Sequence, residues 1–175
     1  MRLPVLIHLV QPAQTLSRCQ RVCVLGSSSL LASFPELGEP GAPLEFSYAA
    51  DLLLDPCDEQ IAAMLHEAIG EGSLFAEREG YHADIVRPQI RDTLLTGWDG
   101  RLVPLPSVAT ASALAPADLV VVTLRLGRPK DLELCRHSFR QKLMYPPDVK
   151  ARLDATPLPE PEIVPVYRRF REVIE

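Results

Sequence analysis

The chain has 175 residues, 47% hydrophobic and 23% charged, with a formal net charge of −5. That length can bury one real core, so a single domain over 1–175 is the default expectation, and net acidity argues against broad binding to DNA or RNA through neutralised phosphates. No run of eighteen apolar residues occurs, so no membrane-spanning helix is expected, and Cys19, Cys23, Cys57 and Cys135 show neither a C-x-x-C pair nor zinc spacing. They read as reduced thiols of a cytoplasmic protein.

Taken in order, the start from Met1 to Val10 places basic Arg2 before an apolar run, as in a signal peptide, but Pro4 and His8 interrupt that run and no clean cleavage site follows. Arg21 to Leu25 is a compact β-branched run closed by Gly26 and reads as a buried strand. Ser27 to Phe34 reads as a short helix, stopped by Pro35 and followed by a loop rich in glycine and proline. A second central strand is expected within Phe46 to Leu54. Ile61, Met64, Leu65, Ala68 and Ile69 then repeat at helical spacing after the acidic turn Asp58-Glu59. Gly72 to Phe75 reads as a loop, Tyr81 to Val86 as a third strand, and Arg101 to Leu105 as a fourth strand near an edge because of Pro104.

From Pro116 the pattern turns helical. Pro116 suits a helix start and Gly127 its end, although Leu119 to Val122 would also suit a strand on propensity. Further helices are expected at Leu132 to Leu143, Asp148 to Ala155 and Glu162 to Ile174, with a stiff proline-rich connector near Pro157. The fold class is therefore α/β (α+β): a small mixed, twisted sheet flanked by helices at about 20–110, with a helical C-terminal portion at about 115–175.

A strand that delivers Gly26, Ser27 and Ser28 onto a helix start is a candidate phosphate cradle, since free backbone N–H groups point outward there; an ordinary N-cap is the simpler alternative. Phosphoryl chemistry also needs carboxylates for a hard cation such as Mg2+. Two aspartates at i and i+2 share one strand face, but this strand reads Ala49-Ala50-Asp51. Asp55 shares the face of Asp51 but lies about 13 Å further along an ideal strand, and Asp84 on the next strand is a credible second carboxylate or a solvated strand-end residue.

These motifs in their order carry a resemblance. They are Val24-Leu25-Gly26-Ser27-Ser28, Ser47-Tyr48-Ala49-Ala50-Asp51-Leu52, Glu67 to Phe75, Gly97-Trp98-Asp99-Gly100-Arg101, and Asp118-Leu119 leading to Gly127-Arg128-Pro129-Lys130-Asp131. From about Val22 to Leu143 the chain resembles the DNA polymerase β-type nucleotidyltransferase superfamily, in the small bacterial branch related to the AbiEii toxins. The resemblance implies a nucleotidyltransferase-like fold. It also implies binding of a nucleoside triphosphate with Mg2+, and nucleotidyl transfer to an RNA or protein acceptor. By motif, Gly26, Ser27, Ser28, Arg128 and Lys130 would hold nucleotide, and Asp51 and Asp84, with Asp55 as a further candidate, would be the catalytic and metal-binding carboxylates.

Two charged positions of the family pattern are neutral here. Ala49 stands where the first metal aspartate is expected, and Thr123 where the helix beginning at Asp118 would carry a lysine. Losing a carboxylate leaves a metal pair with little negative charge nearby, and losing a lysine weakens phosphate binding. A degenerate or weakly active transferase is thus expected, the alternative being a non-catalytic scaffold or regulatory partner that keeps the fold. His8, His66, His82 and His137 have no metal-ligand spacing, although His82 shares a strand face with Asp84. Trp98 reads as a turn and core anchor, and Arg168, Arg169 and Arg171 as a solvated basic helix end.

Overall fold

The computed structural model describes residues 1–175 and is a mixed α/β structure. Its sheet has five strands in the order β3-β2-β1-β5-β4: β1 (Arg21–Leu25), β2 (Ala49–Asp55), β3 (His82–Ile85), β4 (Val103–Pro104) and β5 (Ala111–Ala113). β1 runs antiparallel to β2 and parallel to β5, while β3 is parallel to β2 and β4 antiparallel to β5. Seven helices accompany it: α1 (Leu3–Ser17), α2 (Glu59–Ile69), α3 (Leu74–Glu79), α4 (Pro116–Leu126), α5 (Pro129–Arg140), α6 (Pro146–Asp154) and α7 (Glu160–Ile174). None is long and apolar enough to cross a membrane.

The chain divides into two compact units, one of residues 1–93 and 101–114, the other of residues 94–100 and 115–175. The first holds the sheet with α1, α2 and α3. Period-2 alternation gives the sheet two unlike faces. Val22, Val24, Ala50, Leu52, Leu54, Ala83 and Ala113 line one face and are fully buried. α1 packs on β1 and β2 and α2 on β3, with Leu6, Leu9, Val10 and Ala13 forming the buried stripe of α1 at helical spacing. The other face mixes buried Cys23, Leu25 and Leu53 with the polar side chains of Arg21, Asp51, Asp55, His82, Asp84 and Ser112.

The second unit is helical. α4 packs against α5, α6 and α7, and α5 against α7. Pro116 and Gly127 bound α4 as expected, Gly127 in the left-handed region at φ 67°. Arg169 on α7 closes that helix end by donating from its guanidinium to the carbonyls of Leu124 and Arg125 at 2.7 and 3.0 Å. The basic run at the end of α7 is therefore a helix cap at Arg169 and not a wholly solvated face.

Several local expectations are corrected. The N-terminal run is a helix, because Pro4 sits in the first turn where no N–H is needed. The short helix expected from Ser27 is present as a 3-10 helix, Ser27–Ala32, ending before Phe34. Leu74–Glu79, expected to begin in a loop, is a helix with Ser73 as its N-cap, the Ser73 hydroxyl accepting from the Ala76 N–H at 3.1 Å. β5 was not anticipated.

Candidate active site on the mixed face of the sheet

β1 ends at Leu25, and Gly26 turns the chain with φ 60° and ψ −166°, a conformation essentially confined to glycine. The turn brings the Gly26 backbone onto the side chain of Asp51, so that a Cβ there would lie 3.2 Å from Asp51 Cγ and closer still to Oδ2. The absence of a side chain at Gly26 makes room for the carboxylate. Leu25 is the register partner of Asp51 on one side, and Asp84 is its partner on the other. Asp51 and Asp84 are thus cross-strand neighbours on one sheet face.

The row beside them is Ala49 opposite His82. His82 stands two residues before Asp84 on the same face, and its Nε2 is 3.6 Å from Asp84 Oδ1, with the His82 side chain 18% and the Asp84 side chain 49% exposed. Ala49 leaves only a methyl group at the place facing the imidazole.

Asp55 lies at the far end of β2, opposite Arg21. Arg21 donates to Asp55 Oδ2 at 2.8 Å, and Arg91 lies 3.5 Å from Oδ1. The Arg21 hydrogen bond in particular holds the Asp55 carboxyl below its ordinary range. Asp55 is thereby engaged with two guanidiniums, away from the row of Asp51 and Asp84. Between the rows Cys23 is buried, and burial pushes its thiol up to about 12 despite a hydrogen bond with Ser112.

Ser27 is half-buried at the start of the 3-10 turn, whereas Ser28 and Ser29 are buried, with their hydroxyls directed at the carbonyls of Leu25 (3.5 Å) and Gly26 (2.8 Å). Of the turn serines, Ser27 is the one left at the surface. Arg128 and Lys130 belong to the second unit, exposed at the start of α5. Thr123 is buried on α4, hydrogen-bonded with the Cys135 thiol that burial raises to about 12. Asp118, at the start of α4, is fully buried and lies 2.8 Å from Arg152 Nε of α6, an ion pair without hydrogen-bond alignment.

Comparison with protein families, with curated proteins and with solved structures finds no match for this chain. The case for function therefore rests on geometry.

No group of three or more His, Cys, Asp or Glu residues is placed to hold a metal ion by itself. Mg2+, however, is ordinarily held by one or two carboxylates together with substrate phosphates and water. Asp51 and Asp84 supply two carboxylates in register on one face, the number such an ion would need from the protein, and Ala49 adds none beside them. An open cavity of about 430 Å3 lies in the same unit, lined among others by Arg2, Phe46, Tyr48, Glu79 and Tyr81. Tyr48 and Tyr81 immediately precede Ala49 and His82, and the His82 N–H donates to the Tyr48 carbonyl at 2.8 Å.

Sequence reasoning did not anticipate Tyr81 or His8. The Tyr81 hydroxyl and His8 Nδ1 share a 2.6 Å hydrogen bond, and Phe75 packs on both rings. Their signal was distributed over α1, α3 and the start of β3, which only the fold brings together.

Proposed function

We propose that the mixed face of the sheet binds the phosphates of a nucleoside triphosphate with one Mg2+, in a reduced form of a nucleotidyltransferase-like site. The observation that carries this reading is the approach of the Gly26 backbone to the Asp51 carboxylate, with Asp84 in register beside it. Asp51 and Asp84 hold the ion, and Ser27 is the turn hydroxyl available to phosphate. The bound ion supplies charge neutralisation at the phosphates. The reaction class is attack of an acceptor hydroxyl, on RNA or protein, at the α-phosphorus with release of pyrophosphate. Ala49 makes that activity weak.

A second reading, a non-catalytic scaffold that keeps the fold and works through protein association, is favoured by a different observation. Phe46, Tyr48 and Leu74 are 70%, 58% and 84% exposed in the first unit, while Thr123 is buried on α4.

Calorimetry with each nucleoside triphosphate and Mg2+ at millimolar concentration tests the first reading directly. Binding that is lost in Asp51→Asn supports it, and the absence of heat for every triphosphate removes it. Labelled-nucleotide transfer distinguishes a weak enzyme from a decayed one: transfer by the natural chain shows activity, and transfer only by Ala49→Asp shows loss through that position.

A further inference from the structure

Cys19 and Cys57 flank one end of the central strand pair, Cys19 two residues before β1 and Cys57 two residues after β2, and both thiols are free. We propose that they form a reversible oxidation site, which a small disulfide such as oxidised glutathione converts into a Cys19–Cys57 disulfide. The proposal is independent of the triphosphate reading.

Strand register brings the two together. β1 and β2 are antiparallel with Arg21 opposite Asp55, and the pairing runs on past β1, the Gln20 N–H donating to the Asp55 carbonyl at 2.9 Å. Continued outward, that register sets Cys19 beside Cys57. Residues opposed across an antiparallel pair have Cα atoms about 4.5–5.5 Å apart, inside the roughly 4.4–6.8 Å that a disulfide spans. A second observation is electrostatic: the Cys57 thiol is raised by burial first, then by Asp58, and then by charge on Cys19. Cys19 is thus near enough for Cys57 to feel its field. The other two cysteines are placed elsewhere, Cys23 facing Leu53 across the same pair and Cys135 lying in the second unit.

Exposure divides the roles. Cys57 is half-buried and open to a small reagent, whereas Cys19 is 6% exposed. The Cys57 thiolate attacks one sulfur of the glutathione disulfide, whose S–S bond breaks as one glutathione thiolate leaves. The Cys19 thiolate then attacks the Cys57 sulfur of this mixed disulfide and expels the second glutathione. The two protons from the protein thiols end on the two glutathione thiolates, so the protein gives up two electrons and the reagent takes them. The new bond joins the corner between α1 and β1 to the corner between β2 and α2, and closes residues 19–57 into a loop that restricts the unfolded chain.

The test treats the full natural chain with oxidised glutathione under native conditions, blocks the remaining thiols with iodoacetamide and maps unreduced peptides by mass spectrometry. The expected product has lost two free thiols, retains no glutathione, contains a Cys19–Cys57 cross-linked peptide and unfolds at a higher urea midpoint than the reduced chain. Dithiothreitol should reverse both changes. Cys19→Ser should stop at a glutathione adduct on Cys57, and Cys57→Ser should give no cross-link, with circular dichroism checking that each folds and Cys19→Ala replacing a serine variant that does not. A glutathione adduct that persists on Cys57 of the natural chain overturns the proposal. So does a bond through Cys23 or Cys135, a bond between two chains, the absence of any reaction, or a lowered urea midpoint.

Discussion

The carboxylate of Asp51 rests on the Cα of Gly26, in the space that any other residue would fill with its Cβ. Two independent requirements therefore meet at Gly26, its backbone angles and this close approach. Gly26→Ala should destabilise the chain by about 1–3 kcal/mol from backbone strain alone and displace Asp51. Urea unfolding gives the first effect and triphosphate calorimetry the second; an unchanged midpoint would mean that the turn relaxes without cost.

Thr123→Lys, the change that would complete the family pattern on α4, should be strongly destabilising. Thr123 is 6% exposed and Cys135 beside it 2%, so the ammonium would be desolvated in a tightly packed helix interface. A loss on the order of several kcal/mol is expected in guanidinium unfolding. Restoration experiments should therefore change Ala49 alone.

Asp118 is the better candidate for a structural charge than for a catalytic one. Its side chain is 1% exposed and paired with Arg152, so Asp118→Ala should cost about 3–5 kcal/mol by leaving a guanidinium without its counter-charge. The double variant Asp118→Leu with Arg152→Met should recover part of that loss. A double-mutant cycle measures the coupling, and additive losses would show that the pair contributes nothing.

Acid stability should carry a small contribution from Asp55. Its folded pKa is depressed below 3.8, chiefly by the Arg21 hydrogen bond with help from Arg91. The contribution is present above the ordinary aspartate pKa and disappears as pH falls through the lowered folded value. With the side chains of Arg21 and Asp55 70% and 39% exposed, its size is below about 1 kcal/mol and falls with salt. Urea midpoints of the natural chain and Asp55→Asn should differ at about pH 6 and converge as pH falls through the lowered folded value of Asp55.

Thiol reactivity should follow burial. Cys23 and Cys135 are raised to about 12, so alkylation of the native chain should begin at partly exposed Cys57 and reach those two only on unfolding. Mass spectrometry of iodoacetamide-treated protein checks the order.

Strands β1, β2 and β3 and helices α2 and α4 were legible because their apolar spacing and terminal residues agree. β5 was not, since Ala111-Ser112-Ala113 has no strand propensity of its own and is a strand through pairing with β1. α1 was obscured by Pro4 and His8, read as interruptions of a leader-like run, although Pro4 occupies the first turn of the helix, where no N–H is needed. In the candidate site, Gly26, Asp51 and Asp84 could each be placed on an element, but whether the carboxylates meet depends on strand register. Register also makes His82 the partner of Ala49, a relation between residues 33 positions apart that no local pattern records.

That register has a consequence for how this chain can vary. Side chains alternate along β3, so Asp84 and His82 share a face with Asp51 only while the residue count within the strand keeps its parity. One residue inserted between His82 and Asp84 would leave only one of them on the face of Asp51 and turn the other toward the fully buried side, where Ala83 now sits. Length changes in the connection 70–81 outside the pairing leave the site alone. Among relatives of this chain, loops of different length and strands of fixed parity are the pattern that a working site on this face would impose.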